Sequence, residues 1–181
     1  MRTLLACIGF AFPILAQVNV AALPLPADAT GESTVSAEIR RELAGLPYYG
    51  VFDNLEYTVI QGPRGAVVTL SGQVTRPVLK RDADTVVRHV EGVQQVDDRI
   101  QVLPLSPADD NLRLAEYRAI YAYPALQHYA LAAVPPIHIV VANGRVTLEG
   151  AVASQRDKEL AGVRAKTVRG ATGVENELKV E

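Results

Sequence analysis

The feature that most constrains this chain is an internal repeat. The segment GRVTLEGAV at residues 144–152 matches AVVTLSGQV at residues 66–74 when 78 is added to the earlier numbers. The same shift carries Gly92 onto Gly170, and the register holds without a gap to the end of the chain. Chance rarely preserves ungapped register over such a length. The sequence therefore predicts two copies of one small module.

Composition restricts the class of protein. Of the 181 residues, 49% are hydrophobic, which excludes an intrinsically disordered chain. The formal net charge is -2, from 18 basic and 20 acidic residues. Proteins that bind nucleic acids usually carry a basic patch, because neutralising phosphates supplies much of their affinity. We therefore expect two small globular domains and no nucleic-acid partner.

The first 22 residues have the layout of a secretory signal peptide. One basic residue, Arg2, precedes an apolar run at 4–16, and small residues occupy positions 20–22. The run is too short for a membrane-spanning helix, which needs about 20 residues. We expect export to the periplasm, with cleavage after Ala22 or after Ala29.

Short segments lie outside the two modules. Cys7, the one cysteine, falls within the predicted signal peptide (1–22), so the mature chain would have no thiol for a disulfide. Residues 23–33 are rich in proline and alanine and are predicted to be a flexible lead-in. The linker at 104–108 is so short that we expect the two domains to contact each other.

Hydrophobic periodicity assigns the same element order to both copies. Each copy, at residues 34–103 and 109–181, is predicted to form helix, strand, strand, helix and strand. The last strands are assigned to residues 99–103 and 177–180, where apolar and polar residues alternate. Both copies are therefore expected to fold in the same way.

The element order leaves two sheet topologies open. A tight turn makes the first two strands antiparallel, and Asn143-Gly144 is typical of a type I′ hairpin. If the third strand joins beside the first the sheet is antiparallel, and if it joins beside the second the sheet is mixed. In either case we expect an α+β fold of two tandem αββαβ two-layer sandwiches, each a three-stranded sheet covered by two helices.

Four glycines occupy matching positions in the two copies. Gly72 and Gly150 interrupt the second strand, which predicts a β-bulge or a closely packed helix. Gly92 and Gly170 follow the second helix and are expected to end it. All four are predicted to have structural roles.

The repeated strands resemble those of a known family. Residues 67–74 read VVTLSGQV and residues 143–152 read NGRVTLEGAV, and each is followed by a helix, a glycine and a valine-containing strand. This pattern resembles the BON domain, named after bacterial osmotically inducible and nodulation proteins. The resemblance implies a non-enzymatic periplasmic or envelope-facing module that binds phospholipid surfaces, small ions or envelope proteins. A stress or envelope-maintenance role is the corresponding expectation.

One cluster of side chains in the second copy is a candidate ligand surface. Tyrosines beside cations suit a membrane interface, where aromatic rings lie at headgroup depth and cations meet anionic lipids. Tyrosines at helical spacing also pack in cores with only the hydroxyl exposed, and this alternative stays open. The candidate lipid-binding residues are Arg113, Tyr117, Arg118, Tyr121, Tyr123, His128 and Tyr129.

The sequence contains no recognisable catalytic or metal-binding motif. His89, His128 and His138 share no metal-ligand spacing, and no nucleophile motif occurs. We therefore expect no catalytic residue, no metal, no cofactor and no enzymatic activity.

Phospholipid binding is the leading functional expectation, and two other functions compete with it. The chain could be a scaffold that binds a periplasmic protein through exposed sheet edges. It could also be an ion-sensing module in which backbone carbonyls of the linker bind a cation.

Overall fold

A computed structural model describes residues 34–181, and both copies of the repeat fold as helix, hairpin, helix and strand. The predicted signal peptide (1–22) and lead-in (23–33) lie outside the described residues. The first copy contains α1 Thr34–Ala44, β1 Asn54–Gly62, β2 Gly65–Val74, α2 Pro77–Arg88, β3 Val93–Asp98 and β4 Gln101–Val102. The second contains α3 Pro107–Tyr121, a 3-10 helix Gln127–Leu131, β5 Ile137–Ala142, β6 Arg145–Val152, α4 Gln155–Ala165, β7 Gly173–Asn176 and β8 Lys179–Val180.

Each copy forms a mixed sheet. The β1–β2 and β5–β6 hairpins are antiparallel, whereas β3 and β4 run parallel to β2, and β7 and β8 run parallel to β6. The third strand therefore joins beside the second, on the edge that the hairpin leaves free. A helical crossover between parallel strands places the helix over one face of the sheet. The α+β expectation is confirmed.

The third strand of each copy begins earlier than the sequence predicted. β3 begins at Val93, and a short break separates it from β4. At the break Ile100 turns into the core with 2% of its surface exposed, and Leu178 does the same in the second copy with 1%. Gln94 and Gln95 at the start of β3 are both polar and exposed, so apolar and polar residues do not alternate there. Hydrophobic periodicity therefore identified only the end of the third strand.

Gly72 and Gly150 permit close contact between strands. Their φ angles are +109° and +100°. A Cβ on Gly72 would lie 2.2 Å from the carbonyl oxygen of Asn54, and one on Gly150 would lie 2.1 Å from that of Pro136. The close neighbour is thus the backbone where the first strand of each hairpin begins, at Asn54 in β1 and at Pro136 just before β5, and the closely packed helix considered from sequence is not found there. Only glycine fits both the space and the dihedral angle.

Each copy has its own hydrophobic core between its helices and sheet. In the first, helix α1 contributes Ile39 and Leu43, and α2 contributes Leu79, Ala83 and Val87. Burying one such aliphatic side chain contributes about 1.5–3 kcal/mol, so spacing at i, i+4 and i+8 fixes which face of each helix packs. The second core contains Leu112, Ile120, Tyr121, Leu126, Ile137, Ile139, Val141, Val146, Leu148, Val152, Ala161, Ala165 and Leu178.

Helix α3 begins at Pro107, inside the linker predicted at 104–108. Ser106 caps it by accepting a hydrogen bond from the backbone N–H of Asp109 at 3.2 Å. The carboxylate of Asp109 accepts bonds from the N–H groups of Asn143 and Gly144 at 2.9 and 2.8 Å. Both turn residues have positive φ, as a type I′ turn requires. Asp109 therefore joins the start of α3 to the β5–β6 turn.

Candidate functional site

The seven candidate lipid-binding residues lie on α3 and on the segment after it, but the structure separates them by burial. Arg113 and Tyr121 are buried, with 4% of each exposed. The hydroxyl of Tyr121 donates to the carbonyl of Ile137 at 2.6 Å, and Nη2 of Arg113 donates to the carbonyl of Val141 at 2.6 Å. These two side chains attach α3 to β5. A ligand at the surface does not reach them.

Burial also sets the proton affinity of Tyr121. Loss of solvent around its ring raises the pKa of the hydroxyl above its ordinary value of 10.0, although the bond to Ile137 acts in the opposite direction. The hydroxyl also accepts a hydrogen bond from the N–H of Ile137 at 3.2 Å. Tyr121 is thus a neutral, doubly hydrogen-bonded core residue, as the packing alternative predicted.

Tyr117 and Tyr123 are half-buried in aromatic contacts. The Tyr117 ring lies 4.8 Å from the Tyr121 ring and 6.3 Å, edge-on, from the ring of Phe52 in the first copy. The guanidinium of Arg164 lies 5.0 Å from the centre of the Tyr123 ring, a cation–π contact between α4 and the end of α3. Each ring therefore keeps only part of its surface for a ligand.

Tyr129 attaches the 3-10 helix to the start of α4. Its hydroxyl donates to Asp157 at 3.0 Å and accepts from the N–H of Ala153 at 2.8 Å. Burial is the largest effect on this hydroxyl and raises its pKa. The ring also lies 4.0 Å from the ring of His128, which is exposed. The tyrosine therefore holds His128 at the surface.

The exposed part of this region contains an apolar residue that the sequence analysis did not identify. Arg118 and His128 are exposed, and Leu131, at the end of the 3-10 helix, is 85% exposed. Leu131 is a large aliphatic residue among alanines just before Pro135-Pro136. This isolated leucine is the feature of the sequence that could have identified it as exposed. We call Arg118, Tyr123, His128, Tyr129 and Leu131 the α3 surface. It combines basic, aromatic and aliphatic groups on one segment.

Comparison with known proteins identifies the family. The BON domain profile matches residues 31–104 and 126–181, which together make up more than half of the chain. The chain belongs to the BON domain family. The two copies are thus two BON domains in tandem. Helix α3 lies between the two matched ranges, so the α3 surface includes a part of the chain that departs from the family pattern.

The chain is also similar to a named protein and to solved structures. Osmotically-inducible protein Y of Escherichia coli (strain K12) is 30% identical over 159 residues, which are 83% of this chain and 73% of that protein. The C-terminal domain of CdsD, a structural protein of the type III secretion system of Chlamydia trachomatis, matches at 14% identity with a TM-score of 0.32, covering 83% of this chain and 98% of that one. A second CdsD structure matches at 14% identity with a TM-score of 0.30, covering 80% and 91%. Scores this low support no further argument.

Helix α3 of the second BON domain also buries a carboxylate. Glu116 is fully buried, and neither of its oxygens has a hydrogen-bond partner. It stands four residues after Leu112 and four before Ile120, and all three are buried on the same helix. Burial raises the pKa of Glu116 from 4.5 to about 7.

The two BON domains contact each other through the segment before β1. The N–H of Ile139 on β5 donates to the carbonyl of Val51 at 2.7 Å. Beside this bond the ring of Tyr49 stacks on that of His138 at 5.6 Å, with 23° between the planes. Val51 and Phe52 pack against the second core. We call residues 49–53 the docking loop.

His138 is the histidine at this contact, facing Tyr49 and Asp53 of the docking loop. It is buried, with 8% exposed, and its Nδ1 has no hydrogen-bond partner. Burial lowers the pKa of His138 below 6.5, against the smaller opposite effects of the backbone of Asp53 and Gly50 and of the Asp53 carboxylate. Asp53 itself is held by Thr75, whose N–H and hydroxyl donate to it at 2.7 and 2.8 Å.

A cleft of about 650 Å³ lies in the first BON domain between α1 and α2. Val35, Val86 and Val90 contribute to its lining, with Glu38 and Glu42. Both carboxylates already pair with the exposed Arg41.

Within residues 34–181 no three His, Cys, Asp or Glu side chains come together as a metal site. In the same part of the chain, no helix combines the length and hydrophobicity needed to span a bilayer.

Proposed function

We propose that this protein is a non-catalytic envelope module that binds anionic phospholipid through the α3 surface of its second BON domain. The proposal includes export through the leader at 1–22 and a periplasmic mature protein. The signal-peptide pattern supports it, and so does the similarity to a protein named for osmotic induction. The ordinary role of such a module would be in osmotic stress or envelope maintenance.

The observation that carries the proposal is the exposure of Leu131 on the segment that also carries the exposed Arg118 and His128. An aliphatic side chain that is 85% exposed gains about 1.5–3 kcal/mol when a lipid phase covers it. A cation near an anionic membrane adds about 1 kcal/mol, and Arg118 supplies one. Tyr123 and Tyr129 place amphipathic rings at the depth of the headgroups. These contributions suit reversible surface binding.

Vesicle co-sedimentation tests the proposal. We expect the mature chain to bind vesicles of phosphatidylglycerol and phosphatidylcholine at low salt, and to bind less as salt screens the attraction. Leu131→Asp should weaken binding by at least about tenfold, because it removes the apolar contact and adds repulsion. Leu105→Asp is the matched control, since Leu105 is 94% exposed in the linker. Absence of binding at low salt would refute the proposal, as would equal losses in the two variants.

A protein partner bound at a sheet edge is the second candidate function. The docking loop already uses the edge of β5, where Val51 accepts the bond from Ile139. In the first sheet, at the edge opposite β1, Gln94 and Gln95 of β3 are exposed. An added strand needs such free backbone groups. A complex that protects the N–H groups of β3 from hydrogen exchange and leaves the α3 surface accessible would favour this function.

Cation sensing at the linker is the third candidate. The chain between β4 and α3 is short, and its carbonyls are the ligands that this hypothesis requires. Calorimetric titration with KCl and with CaCl2 tests it directly. Heat of binding in either titration, lost when the linker is replaced by glycine and serine, would favour ion sensing over lipid binding.

A further inference from the structure

We propose that the contact between the two BON domains is a pH-operated clamp, in which protonation of His138 releases the docking loop from β5 and uncovers Tyr117 on α3. The clamp itself goes beyond the proposed lipid function, whereas the use of the uncovered helix to bind lipid rests on it. His138 is the member of the contact that acquires a charge in mildly acidic solution.

The clamp consists of a few identifiable contacts. One backbone hydrogen bond joins Ile139 to Val51, and one ring stack joins His138 to Tyr49. Phe52 meets Tyr117 edge-on at 6.3 Å. At the periphery, Lys179 lies 3.5 Å from Glu56, both largely in solvent, where ion pairs contribute little. Val51 and Phe52 also pack against the second core, so the charge on His138 acts against these apolar contacts as well as against the hydrogen bond and the ring stack.

Protonation of His138 destabilises the docked state because of how the ring is placed there. A neutral imidazole leaves the buried Nδ1 without a bond, but a charged ring requires a partner for every N–H. In the docked arrangement Nδ1 has no partner, and the backbone of Asp53 and Gly50 favours the charged ring by less than burial disfavours it, so the charged ring is more stable in water. Release of the docking loop gives Nδ1 access to solvent.

Several charged groups surround His138 and oppose its neutral form. Asp53 faces it from the docking loop, and Glu149 is its cross-strand neighbour on β6. Glu149 in turn lies near Glu56, Glu177 and Lys179, and burial raises the pKa of Glu149. Asp53 already accepts bonds from Thr75 and from the N–H of Gly50 at 3.2 Å, which occupy its oxygens. Burial of the ring outweighs these attractions, and the pKa of His138 is lowered.

The sign of the effect follows from this lowered pKa. The released histidine, in water, gains its proton near pH 6.5, whereas the docked one gains it only at lower pH. The released state therefore binds more protons below pH 6.5, and docking weakens as the pH falls through this range. One proton changes the docking equilibrium by at most about tenfold per pH unit. Docking is strongest above the ordinary histidine pKa of 6.5 and weakens as the pH falls below it.

Distance measurement between the domains tests the clamp without lipid. Arg64→Cys and Arg169→Cys place fluorophores on exposed positions of the first and second domain, in a chain from residue 23 that lacks Cys7. Energy transfer should fall reversibly between pH 7 and pH 5. His138→Phe keeps the stack on Tyr49 but cannot be protonated, so its transfer should stay constant. His89→Phe, at an exposed histidine on the first domain, should behave as the unsubstituted chain.

Two results would overturn the clamp. One is constant energy transfer from pH 8 to pH 5 in the unsubstituted chain, and the other is the same decline in the chain with His138→Phe. If His138→Phe prevents docking altogether, proton NMR of the unsubstituted chain decides. A His138 ring that titrates at its ordinary pKa of 6.5 would then refute the clamp, and a lower value accompanied by the change in transfer would support it.

A vesicle experiment separates the clamp from the lipid function. Binding to phosphatidylglycerol vesicles should increase between pH 7 and pH 5 more in the unsubstituted chain than in the chain with His138→Phe. If the domains separate but no vesicles bind at any pH, the lipid function fails and the clamp stands. If vesicles bind equally in both chains while the distance is constant, the clamp fails and the lipid function stands.

Discussion

Glu116 should make the second BON domain less stable as the pH rises, the reverse of what an ordinary surface carboxylate does. In the unfolded chain the Glu116 carboxyl releases its proton near pH 4.5, whereas in the folded domain it keeps the proton up to about pH 7. Between these values the folded state binds more protons than the unfolded state, so the free energy of unfolding declines across this window. Below pH 4.5 both states hold the proton of Glu116, so stability no longer changes with pH through this group.

The size of the effect follows from the displacement of the pKa. A change from 4.5 to about 7, at 1.36 kcal/mol per pH unit, corresponds to about 3 kcal/mol at and above pH 8. Glu116→Gln keeps the shape of the protonated acid and cannot ionise. We expect the two proteins to differ little at pH 4.5 and the variant to be more stable by about 3 kcal/mol at pH 8. A difference of this size is a large share of the stability of a small domain.

Urea denaturation at several pH values measures this difference. Far-UV circular dichroism follows unfolding, and peak intensities in NMR spectra identify which domain unfolds. Glu91→Gln, at an exposed position of the first domain, controls for the loss of one negative charge. A stability difference between Glu116→Gln and the unsubstituted chain that is the same at pH 5 and pH 8 would show that Glu116 is hydrated in the folded state. Burial would then not raise the pKa of Glu116 in the folded domain.

Backbone geometry and one buried hydroxyl give two further predictions. Gly72→Ala should cost about 3–5 kcal/mol of unfolding free energy, because its Cβ would meet the Asn54 carbonyl at 2.2 Å and its φ is +109°. Gly170→Ala meets no atom within 4 Å and should cost only about 1–2 kcal/mol for its φ of +103°. Equal costs in thermal denaturation would contradict the steric argument. Tyr121→Phe should cost about 1–3 kcal/mol by leaving backbone groups of Ile137 unpaired. Hydrogen exchange at the N–H of Ile137 should accelerate, and unchanged protection there would refute this role.

The candidate site was only partly predictable from the sequence. The stretch of aromatic and basic residues on and after α3 could be identified, because its composition alone distinguishes it. Which of them face solvent could not, since Arg113 and Tyr121 find their partners on β5. Glu116 lies in a stripe of apolar spacing, but a lone glutamate on a helix is ordinarily at the surface. The exposure of Leu131 also depends on how the 3-10 helix lies against α4.

By itself the sequence determined the duplication, the order of helices and strands, the type I′ turn at Asn143-Gly144 and the membership of the BON family. These features depend on residue spacing and on the conformations available to near neighbours, which are local properties. Tertiary structure alone decided that the third strand joins beside the second, that Glu116 is buried without a partner, and that the docking loop contacts His138. Each of these depends on which distant segments share a surface and on how much water they exclude from it.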